Sequence, residues 1–158
     1  MSVVVLTGGV GGAKLVDGLV RALPAGEVSA IINTADDSEH LGLRISPDID
    51  SVFYMLCDMA DPVRGWGVRD ESWHFMDSVR KLGGEDWFNL GDRDLAVHVL
   101  RTLALRIGQT LSGFTNEMVA ARSISANLLP MTNDVVSTVV DCSLGRLPFQ
   151  EPDRNLVA

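Results

Sequence analysis

An apolar run opens the chain and gives way, within a few residues, to a glycine-rich turn and then to a helical pattern. Residues 3–6 are apolar and mostly β-branched, so they predict a strand buried on both faces, as in the middle of a parallel sheet. Apolar residues then recur at helical spacing from Leu15 to Leu23 and predict an amphipathic helix. Glycines at positions 8, 9, 11 and 12 lie between these two elements. The pattern therefore predicts a strand, a tight turn and a helix in succession.

Further along the chain, apolar spacing predicts a second strand, more helices and a final hairpin. Residues 28–32 form the second strand, and the intervening helix makes a parallel βαβ unit. The next helix is expected to begin after Ser46 as its N-cap. The remaining predictions are helices at residues 70–82, 93–107 (capped by Asp92) and 111–122, a strand at 126–129 and a hairpin over 135–150. This order indicates an α/β protein with a parallel sheet, a helical segment and a C-terminal β-hairpin.

The turn between the first strand and the first helix is suited to an anion. A glycine turn that leads into a helix directs unpaired backbone N–H groups, and the positive end of the helix dipole, at one position. The Walker A motif, which needs Gly-Lys-Ser/Thr, is not met, because Lys14 lies between Ala13 and Leu15. The dinucleotide-binding motif is not met either, because Lys14 stands where that motif has its third glycine or alanine. The turn indicates a phosphate or anion site without naming a ligand, and a turn with no ligand stays an alternative.

Acidic side chains are concentrated near the predicted end of the second strand. Asn33, Asp36 and Asp37 follow this strand, whose carboxyl end lies at the same sheet edge as the glycine turn. The two loops are therefore expected to share one crevice. Asp48 and Asp50 lie in the first turn of the next helix, where acids also occur simply because they favour a helix start. Four carboxylates near one edge repel each other unless a cation lies among them, which indicates a divalent metal.

Composition limits the classes of partner and the compartment. The 158 residues carry a net charge of −8 without a basic stripe, which argues against nucleic acid. No apolar run approaches the ~20 residues of a membrane span, and residues 1–6 lack the charged start of a signal peptide, so we expect a cytoplasmic protein without a membrane partner. Cys57 and Cys142 are expected to be buried thiols, and His40, His74 and His98 are too scattered to indicate zinc.

Six short motifs, in order, carry a family resemblance. They are Gly8-Gly9-Val10-Gly11-Gly12-Ala13-Lys14, Asn33-Thr34-Ala35-Asp36-Asp37, Ser46-Pro47-Asp48-Ile49-Asp50, Gly65-Trp66-Gly67, Trp87-Phe88-Asn89-Leu90-Gly91-Asp92-Arg93-Asp94 and Leu129-Pro130-Met131. Together they closely resemble the 2-phospho-L-lactate transferase family of coenzyme F-420 biosynthesis, from residue 2 to about residue 151. The block that starts at Trp87 looks most like the actinobacterial branch. The resemblance implies a Rossmann-like, three-layer parallel sheet.

The resemblance also implies a group transfer. Family members move a 2-phospholactyl group, or a phosphoenolpyruvyl group in the actinobacterial branch, from a guanylyl diphospho ester to the deazaflavin Fo (7,8-didemethyl-8-hydroxy-5-deazariboflavin). The acceptor is the terminal ribityl hydroxyl, GMP leaves, and Mg²⁺ is required. Proteins that catalyse phosphoryl transfer mainly position the reactants and neutralise charge, which agrees with a glycine turn beside carboxylates.

The same resemblance implies roles for individual residues. The expected substrate-binding residues are Gly8, Gly9, Gly11, Gly12, Lys14, Asn33, Asp50, Asn89 and Arg93. The expected metal ligands are Asp36, Asp37 and Asp48. The glycine turn would serve the phosphate end of the guanylyl substrate, while Asp50 and Asn89 match deazaflavin-binding positions. Asp50 is also the catalytic candidate, because it could instead orient or deprotonate the attacking hydroxyl.

Several of these assignments stay open at the level of the sequence. Arg93 pairs either with a phosphate or with a neighbouring aspartate, and archaeal members often carry lysine at the position of Asn89. Either Trp66 or Trp87 stacks on the deazaflavin ring, or both belong to the core. The family's Pro-Met-Ser-Asp-Asp is Pro-Met-Thr-Asn-Asp at residues 130–134, which loses one carboxylate at Asn133.

Chain length sets the expected domain organisation. Members of the family are roughly twice as long, so residues 1–151 are expected to form the N-terminal portion of one incomplete transferase domain. Residues 152–158 show no pattern and are expected to be an unstructured end. The alternative functions are a nucleotide-sugar-binding regulator of a related gluconeogenesis and morphogenesis family, and an inactive fragment. The oligomeric state stays open, a homodimer included.

Overall fold

The structure is a computed structural model that describes residues 2–143 and 145–148. In chain order its elements are β1 (Val3–Thr7), α1 (Gly9–Ala22), β2 (Val28–Ile32), β3 (Ser38–His40), β4 (Leu43–Ile45), α2 (Pro47–Leu56), α3 (His74–Lys81), α4 (Asp94–Arg106), α5 (Leu111–Ala121), β5 (Asn127–Pro130), β6 (Val139–Cys142) and β7 (Gly145–Pro148). The mixed α/β class, the parallel sheet and the C-terminal hairpin are confirmed. The predicted unstructured end at residues 152–158 lies outside the described residues.

A parallel sheet in the order β1-β2-β5 is the centre of the fold. One face carries Val5, Ala30 and Leu128, which are buried in a single core with side chains of α1, α2 and α5. Burial of a valine or leucine side chain in such a core stabilises a fold by about 1.5–3 kcal/mol. The apolar positions that predicted these elements therefore lie on the side of each element that faces this core.

The opposite face of this sheet is exposed among the described residues, which corrects one prediction. Leu6, Ile31 and Leu129 are aligned across the three strands, yet Leu6 is 79% exposed and Val4 is 62% exposed. The prediction that residues 3–6 are buried on both faces is therefore wrong for the described part of the chain. Within that part β1 pairs only with β2, and the helices of the core cover one face, so two of the three expected layers are present.

Helices α1 and α2 pack against each other over the same core. Ala13 and Val16 of α1 are fully buried beside Ile49 of α2. Helix α2 has a proline at its start, as predicted. Ser46 occupies the N-cap position, but its hydroxyl donates to the Asp37 carboxylate (2.8 Å) instead of capping the helix. The predicted capping role of this serine is therefore wrong, because a buried carboxylate nearby takes its hydrogen bond.

The helical segment between residues 70 and 107 contains two helices, and the carboxylate that precedes each helix caps the N-terminus of the other. Asp92, just before α4, accepts the backbone N–H of Phe75 at the start of α3 (3.0 Å). Glu71, just before α3, accepts the N–H groups of Arg93 (2.6 Å) and Asp94 (3.2 Å) at the start of α4. The prediction that Asp92 caps the helix that follows it is wrong, because the two helix N-termini lie side by side. Helix α3 also begins later than the predicted residue 70.

A second, smaller core lies between the helical segment and the β3–β4 hairpin. Ile45, Met76 and Leu90 are fully or almost fully buried there. The ring of Trp87 packs edge-on against His40, with ring centroids 4.8 Å apart. This contact places Trp87 at the border of the second core and explains the aromatic residues of the motif at 87–94.

The last elements return the chain to the sheet edge. Asn133 accepts the backbone N–H of Ser112 at the start of α5 (2.9 Å), so this asparagine has a structural partner. The final hairpin begins at Val139 rather than at the predicted residue 135. Just before it, the Thr138 N–H donates to the carbonyl of Ala35 (2.7 Å). The segment between β5 and the hairpin is thereby joined to the loop that follows β2.

Two expectations drawn from composition can be compared with the described residues. Cys57 is half-buried and Cys142 is exposed, both as free thiols, so the prediction of two buried thiols is wrong because β6 lies at the surface. Among the helices that the structure describes, none combines the length and apolar character needed to cross a lipid bilayer.

Gly8 lies where a side chain would collide with its neighbours. A Cβ at this position would lie 2.8 Å from Oδ2 of Asp48 and 3.1 Å from Cβ of Asn33. Asp48 cannot turn aside freely, because each of its carboxylate oxygens accepts a hydrogen bond. Gly11 differs, since a Cβ there would meet open space. The two glycines of one turn therefore respond differently to the same added methyl group.

We expect Gly8→Ala to lower the free energy of unfolding by about 1–3 kcal/mol, because the added methyl group overpacks the junction of α1 and α2. Gly11→Ala, the matched control, should raise it by about 0.5–1 kcal/mol, since alanine favours a helix more than glycine does. Chemical denaturation of both variants measures the two effects. Equal effects of the two substitutions would contradict the close approach at Gly8.

Candidate functional site

The three parallel strands end at one edge of the sheet, and the loops that follow them meet there. The Asn33 N–H, after β2, donates to the carbonyl of Thr7 at the end of β1 (2.9 Å). The Met131 N–H, after β5, donates to the carbonyl of Ile32 (2.8 Å). These bonds bring the glycine turn, residues 33–37 and residues 131–134 to the same edge. The prediction that the first two loops share one crevice is confirmed.

Asp48 is the side chain that links these loops. Its Oδ1 accepts the backbone N–H of Gly9 (2.7 Å), and its Oδ2 accepts the side-chain amide of Asn33 (2.7 Å). The same amide lies 3.3 Å from Oδ2 of Asp36. The Asp48 carboxylate therefore occupies the place beside the first turn of α1 where an external anion would be bound.

The other residues of the glycine turn have different surroundings. Gly12 faces the side chain of Thr7, which a Cβ would overlap, so its small size permits the close approach of α1 to β1. Gly11 is exposed, and Lys14 is exposed on the same helix. Of the predicted phosphate-binding positions, Gly8 and Gly9 are those in direct contact with the acidic side chain at the crevice.

The three predicted metal ligands do not all point to one place. Asp36 and Asp48 share the Asn33 amide, whereas Asp37 turns towards the hydroxyl of Ser46. Asp37 is buried, and its Oδ1 has no partner among the described residues. Burial raises the pKa of Asp37 to about 6, and the hydrogen bond from Ser46 offsets part of that rise.

Asp50 belongs to a second, buried polar cluster between α2 and α4. Its carboxylate is ion-paired with Arg101, and its Oδ2 lies 3.7 Å from Nδ1 of His98. His98 Nε2 in turn lies 3.2 Å from Oδ1 of Asp94, which accepts a hydrogen bond from the hydroxyl of Tyr54. These five residues, the Asp50 cluster, are largely shielded from solvent, and Asp50 itself is 4% exposed. The carboxylate of the catalytic candidate therefore faces α4.

Burial and neighbouring charges act in opposite directions on the pKa values of the carboxylates in the Asp50 cluster. Burial raises the pKa of Asp50, while the charges of Arg101 and His98 offset part of that rise. Burial also raises the pKa of Tyr54, which keeps its hydroxyl a neutral donor. Burial would raise the pKa of Asp94 as well, but hydrogen bonds from His98 and Tyr54, together with nearby positive charge, hold it below its usual value.

A metal ion is one occupant that the Asp50 cluster could accept. Ligand atoms of Asp50, Asp94 and His98 lie within 4.8 Å of one another. The Arg101 guanidinium already supplies a positive charge to Asp50, so a metal there would compete with it. Within the part of the chain that the structure describes, the acids beside Asn33 form no ion pair with arginine, and their oxygen atoms suit a hard cation.

Sequence reasoning missed Tyr54, His98 and Arg101. One signal was present, because Asp94 and His98 are four residues apart on one helix and therefore lie on one face. Arg101 continues that face into the interior, where a buried arginine requires an acidic partner. The partner, Asp50, lies 51 residues earlier in the chain, and no local pattern connects the two.

The side chains of Asn89 and Arg93 form hydrogen bonds with residues in, or just before, the helical segment. Asn89 Oδ1 accepts a hydrogen bond from Arg80 (2.8 Å). Arg93 donates to the backbone carbonyl of Arg69 (3.1 Å). This contact is neither of the two that the sequence left open for Arg93. In the described residues, their hydrogen bonds do not join them to the glycine turn.

We expect Arg101→Met to destabilise the fold by roughly 3–5 kcal/mol at pH 8, because it leaves the Asp50 carboxylate buried without a partner. The loss should be smaller at pH 5, since an acid with a raised folded-state pKa costs stability as the pH rises through that value. Adding Asp50→Asn to this variant should recover part of the loss. Denaturant unfolding at both pH values measures these effects. An equal loss of stability at pH 5 and pH 8 would contradict the pairing of Asp50 with Arg101.

Comparisons with known proteins identify the family of this chain. A family model described as 2-phospho-L-lactate transferase CofD matches residues 3–152. The phosphoenolpyruvate transferase of Mycobacterium tuberculosis is 41% identical, with 96% of this chain and 52% of the relative covered. The 2-phospho-L-lactate transferase of Methanosarcina mazei is 38% identical, with 94% and 49% covered. The chain thus spans about half the length of these curated relatives.

A solved structure supports the fold. A UPF0052-family protein from Bacillus halodurans aligns with a TM-score of 0.54 at 15% identity, covering 94% of this chain and 45% of that one. At this identity the likeness concerns the fold alone. The match to the family model extends over nearly all of the described residues, including the glycine turn and both polar clusters. The chain therefore belongs to the 2-phospho-L-lactate transferase family.

Proposed function

We propose that this chain contributes the glycine-turn half of a site that transfers a 2-phospholactyl or phosphoenolpyruvyl group from a guanylyl diphospho ester to the terminal hydroxyl of the deazaflavin Fo. Membership of the transferase family supports the reaction class. The observation that carries the proposal is the convergence of the Gly9 amide, the Asn33 amide and the Asp48 carboxylate at the carboxyl end of the sheet. The wider setting, coenzyme F-420 biosynthesis in the cytoplasm, is part of the same proposal.

The glycine turn suits the diphosphate of the donor. The Gly9 N–H donates to the Asp48 carboxylate, so a diphosphate oxygen bound at this amide would replace or share that hydrogen bond. The positive end of the α1 dipole lies at the same place. In the transfer the hydroxyl oxygen of Fo forms a bond to the transferred phosphorus, the bond from that phosphorus to the GMP oxygen breaks, and the hydroxyl gives up its proton. Lys14 and Arg93, both exposed, are our candidates for contacting the phosphates.

We assign Mg²⁺ to Asp36 and Asp48, with Asp37 behind them. The fit rests on the paired carboxylate oxygens of Asp36 and Asp48 around one amide. A bound Mg²⁺ would neutralise charge on the diphosphate as GMP leaves. Without a cation, Asp48 and a diphosphate at Gly9 would repel each other, because both are negative and compete for one amide.

Asp50 and Asn89 are our candidates for the acceptor side. Asp50 would orient or deprotonate the attacking hydroxyl, and its ion pair with Arg101 fixes the direction of its carboxylate. Asn89, at the surface of the helical segment, would contact the deazaflavin at a greater distance from the phosphates.

The test is a transfer assay with Fo and either donor ester, in which chromatography follows GMP and the phosphorylated deazaflavin. The chain is assayed alone and joined to the C-terminal half of the Mycobacterium tuberculosis relative. We expect Mg²⁺-dependent formation of both products, and Asp50→Asn should reduce the rate by about 10²–10⁴-fold. The matched control is Asp58→Asn, because Asp58 is exposed. Absence of GMP in every combination would overturn the proposal.

We expect Asp48→Asn to uncouple GDP binding from Mg²⁺. In the unchanged chain, Mg²⁺ should tighten GDP binding by about 10-fold or more, because it separates the diphosphate from Asp48. In the variant the charge is gone, so affinity in EDTA should rise and the Mg²⁺ effect should fall to about threefold or less. Isothermal titration with and without Mg²⁺ measures both quantities. An unchanged Mg²⁺ effect in Asp48→Asn would exclude Asp48 as the metal ligand.

A further inference from the structure

A compact loop at residues 61–67, the Trp66 loop, is closed by its own hydrogen bonds. Its ends are joined by a bridge between Ala60 and Val68, and the Asp61 N–H donates to the carbonyl of Gly67 (3.1 Å). The Asp61 carboxylate accepts the N–H groups of Val63 (2.8 Å) and residue 64 (3.0 Å). Because these bonds fix the backbone, the loop holds its side chains in defined positions without a ligand.

Trp66 is the most exposed of the three tryptophans. Its side chain is 47% exposed, whereas Trp87 packs against the ring of His40 in the second core. Trp73 meets Trp66 edge-on, with ring centroids 6.4 Å apart. A large aromatic ring that is exposed and also held in place is costly to leave in water, and such rings are frequent in binding sites.

An arginine supports this aromatic pair. The guanidinium of Arg64 lies 4.8 Å from the centroid of the Trp73 ring and 5.9 Å from that of Trp66. The Arg64 side chain is also 3.4 Å from the Asp61 carboxylate. These contacts fix a planar, positively charged donor beside an exposed indole, a combination that suits a ring bearing carbonyl oxygens.

The Trp66 loop lies beside the glycine turn. Gly65 is close to Val10, and a Cβ on that glycine would lie 3.9 Å from the valine side chain. A small recess is lined by Val10 and Ala13 of α1, by Tyr54 of α2 and by Trp66 itself. Val10 directly follows Gly9, so the recess adjoins the amide assigned to the diphosphate. A ligand bound at Gly9 can therefore extend over the indole.

We propose that Trp66 stacks on the fused planar heterocycle of a substrate whose phosphates, or whose acceptor hydroxyl, lie at the glycine turn. This inference rests on the proposed function, which supplies two such rings, the guanine of the donor and the deazaflavin of the acceptor. Both carry ring carbonyls that Arg64 can bind. The structure favours Trp66 over Trp87, the other candidate from the sequence, because Trp66 is exposed beside the glycine turn whereas Trp87 packs against His40 in the second core.

Isothermal titration of the full chain with two separate probes, GDP with Mg²⁺ and Fo, tests the assignment. For the probe that stacks, Trp66→Ala should weaken binding about 5- to 100-fold, the range for loss of one base–aromatic stack. Trp66→Phe, which keeps a ring, should stay within about threefold of the unchanged chain. Trp87→Phe is the matched control. Quenching of tryptophan fluorescence by the same probe should decline in Trp66→Phe and persist in Trp87→Phe.

The outcomes separate this inference from the proposed function. If Trp66→Ala weakens the binding of GDP alone, the indole stacks on guanine. If it weakens the binding of Fo alone, the indole stacks on the deazaflavin. If the unchanged chain binds either probe and Trp66→Ala binds it equally well, the stacking role is overturned while the proposed function stands. If the unchanged chain binds neither probe, both fail. Thermal unfolding verifies that the exposed site tolerates the substitution, with a shift of only a few degrees expected.

Discussion

The hydrogen bonds accepted by the Asp48 carboxylate are the interaction on which the site depends. They join α1, through the Gly9 amide, to the loop after β2, through Asn33, and both to α2, which carries the aspartate. The absence of a side chain at Gly8 leaves room for this junction. Because the same carboxylate occupies the anion position beside α1, the bonds that organise the crevice are also those that a ligand must replace or share.

The start of α2 serves two polar systems at once. Residues two apart on a helix point in directions about 200° apart, so neighbouring acids with that spacing face opposite ways. Asp48 faces the glycine turn, while Asp50 faces α4 and its arginine. The sequence suggests one cluster of four carboxylates, but the geometry of the helix directs Asp48 and Asp50 to different places. The division keeps two negative charges apart, with one at the glycine turn and one in a buried ion pair.

Periodicity predicted most of the elements, because apolar spacing reports directly on which side of a strand or helix is buried. It could not show that one face of the sheet is uncovered in the described residues, since the apolar residues Val4 and Leu6 are equally compatible with a strand buried on both faces. The glycine turn and Asn33 were identified as neighbours because parallel strands end at a common edge. The pairing of Asp50 with Arg101 was inaccessible, because tertiary packing of α2 against α4 creates it.

The exchanged carboxylates of the helical segment have a consequence for cooperativity. Glu71 and Asp92 each precede one helix and bind the backbone of the other. If either N-terminus frays, the other helix loses the loop that carries its cap. Local opening of α3 and of α4 is thus thermodynamically linked, and the segment is expected to exchange its amide hydrogens as one unit rather than as two independent helices. The segment that carries the motif at residues 87–94 therefore gains rigidity from two carboxylates, each of which caps the helix other than the one it precedes.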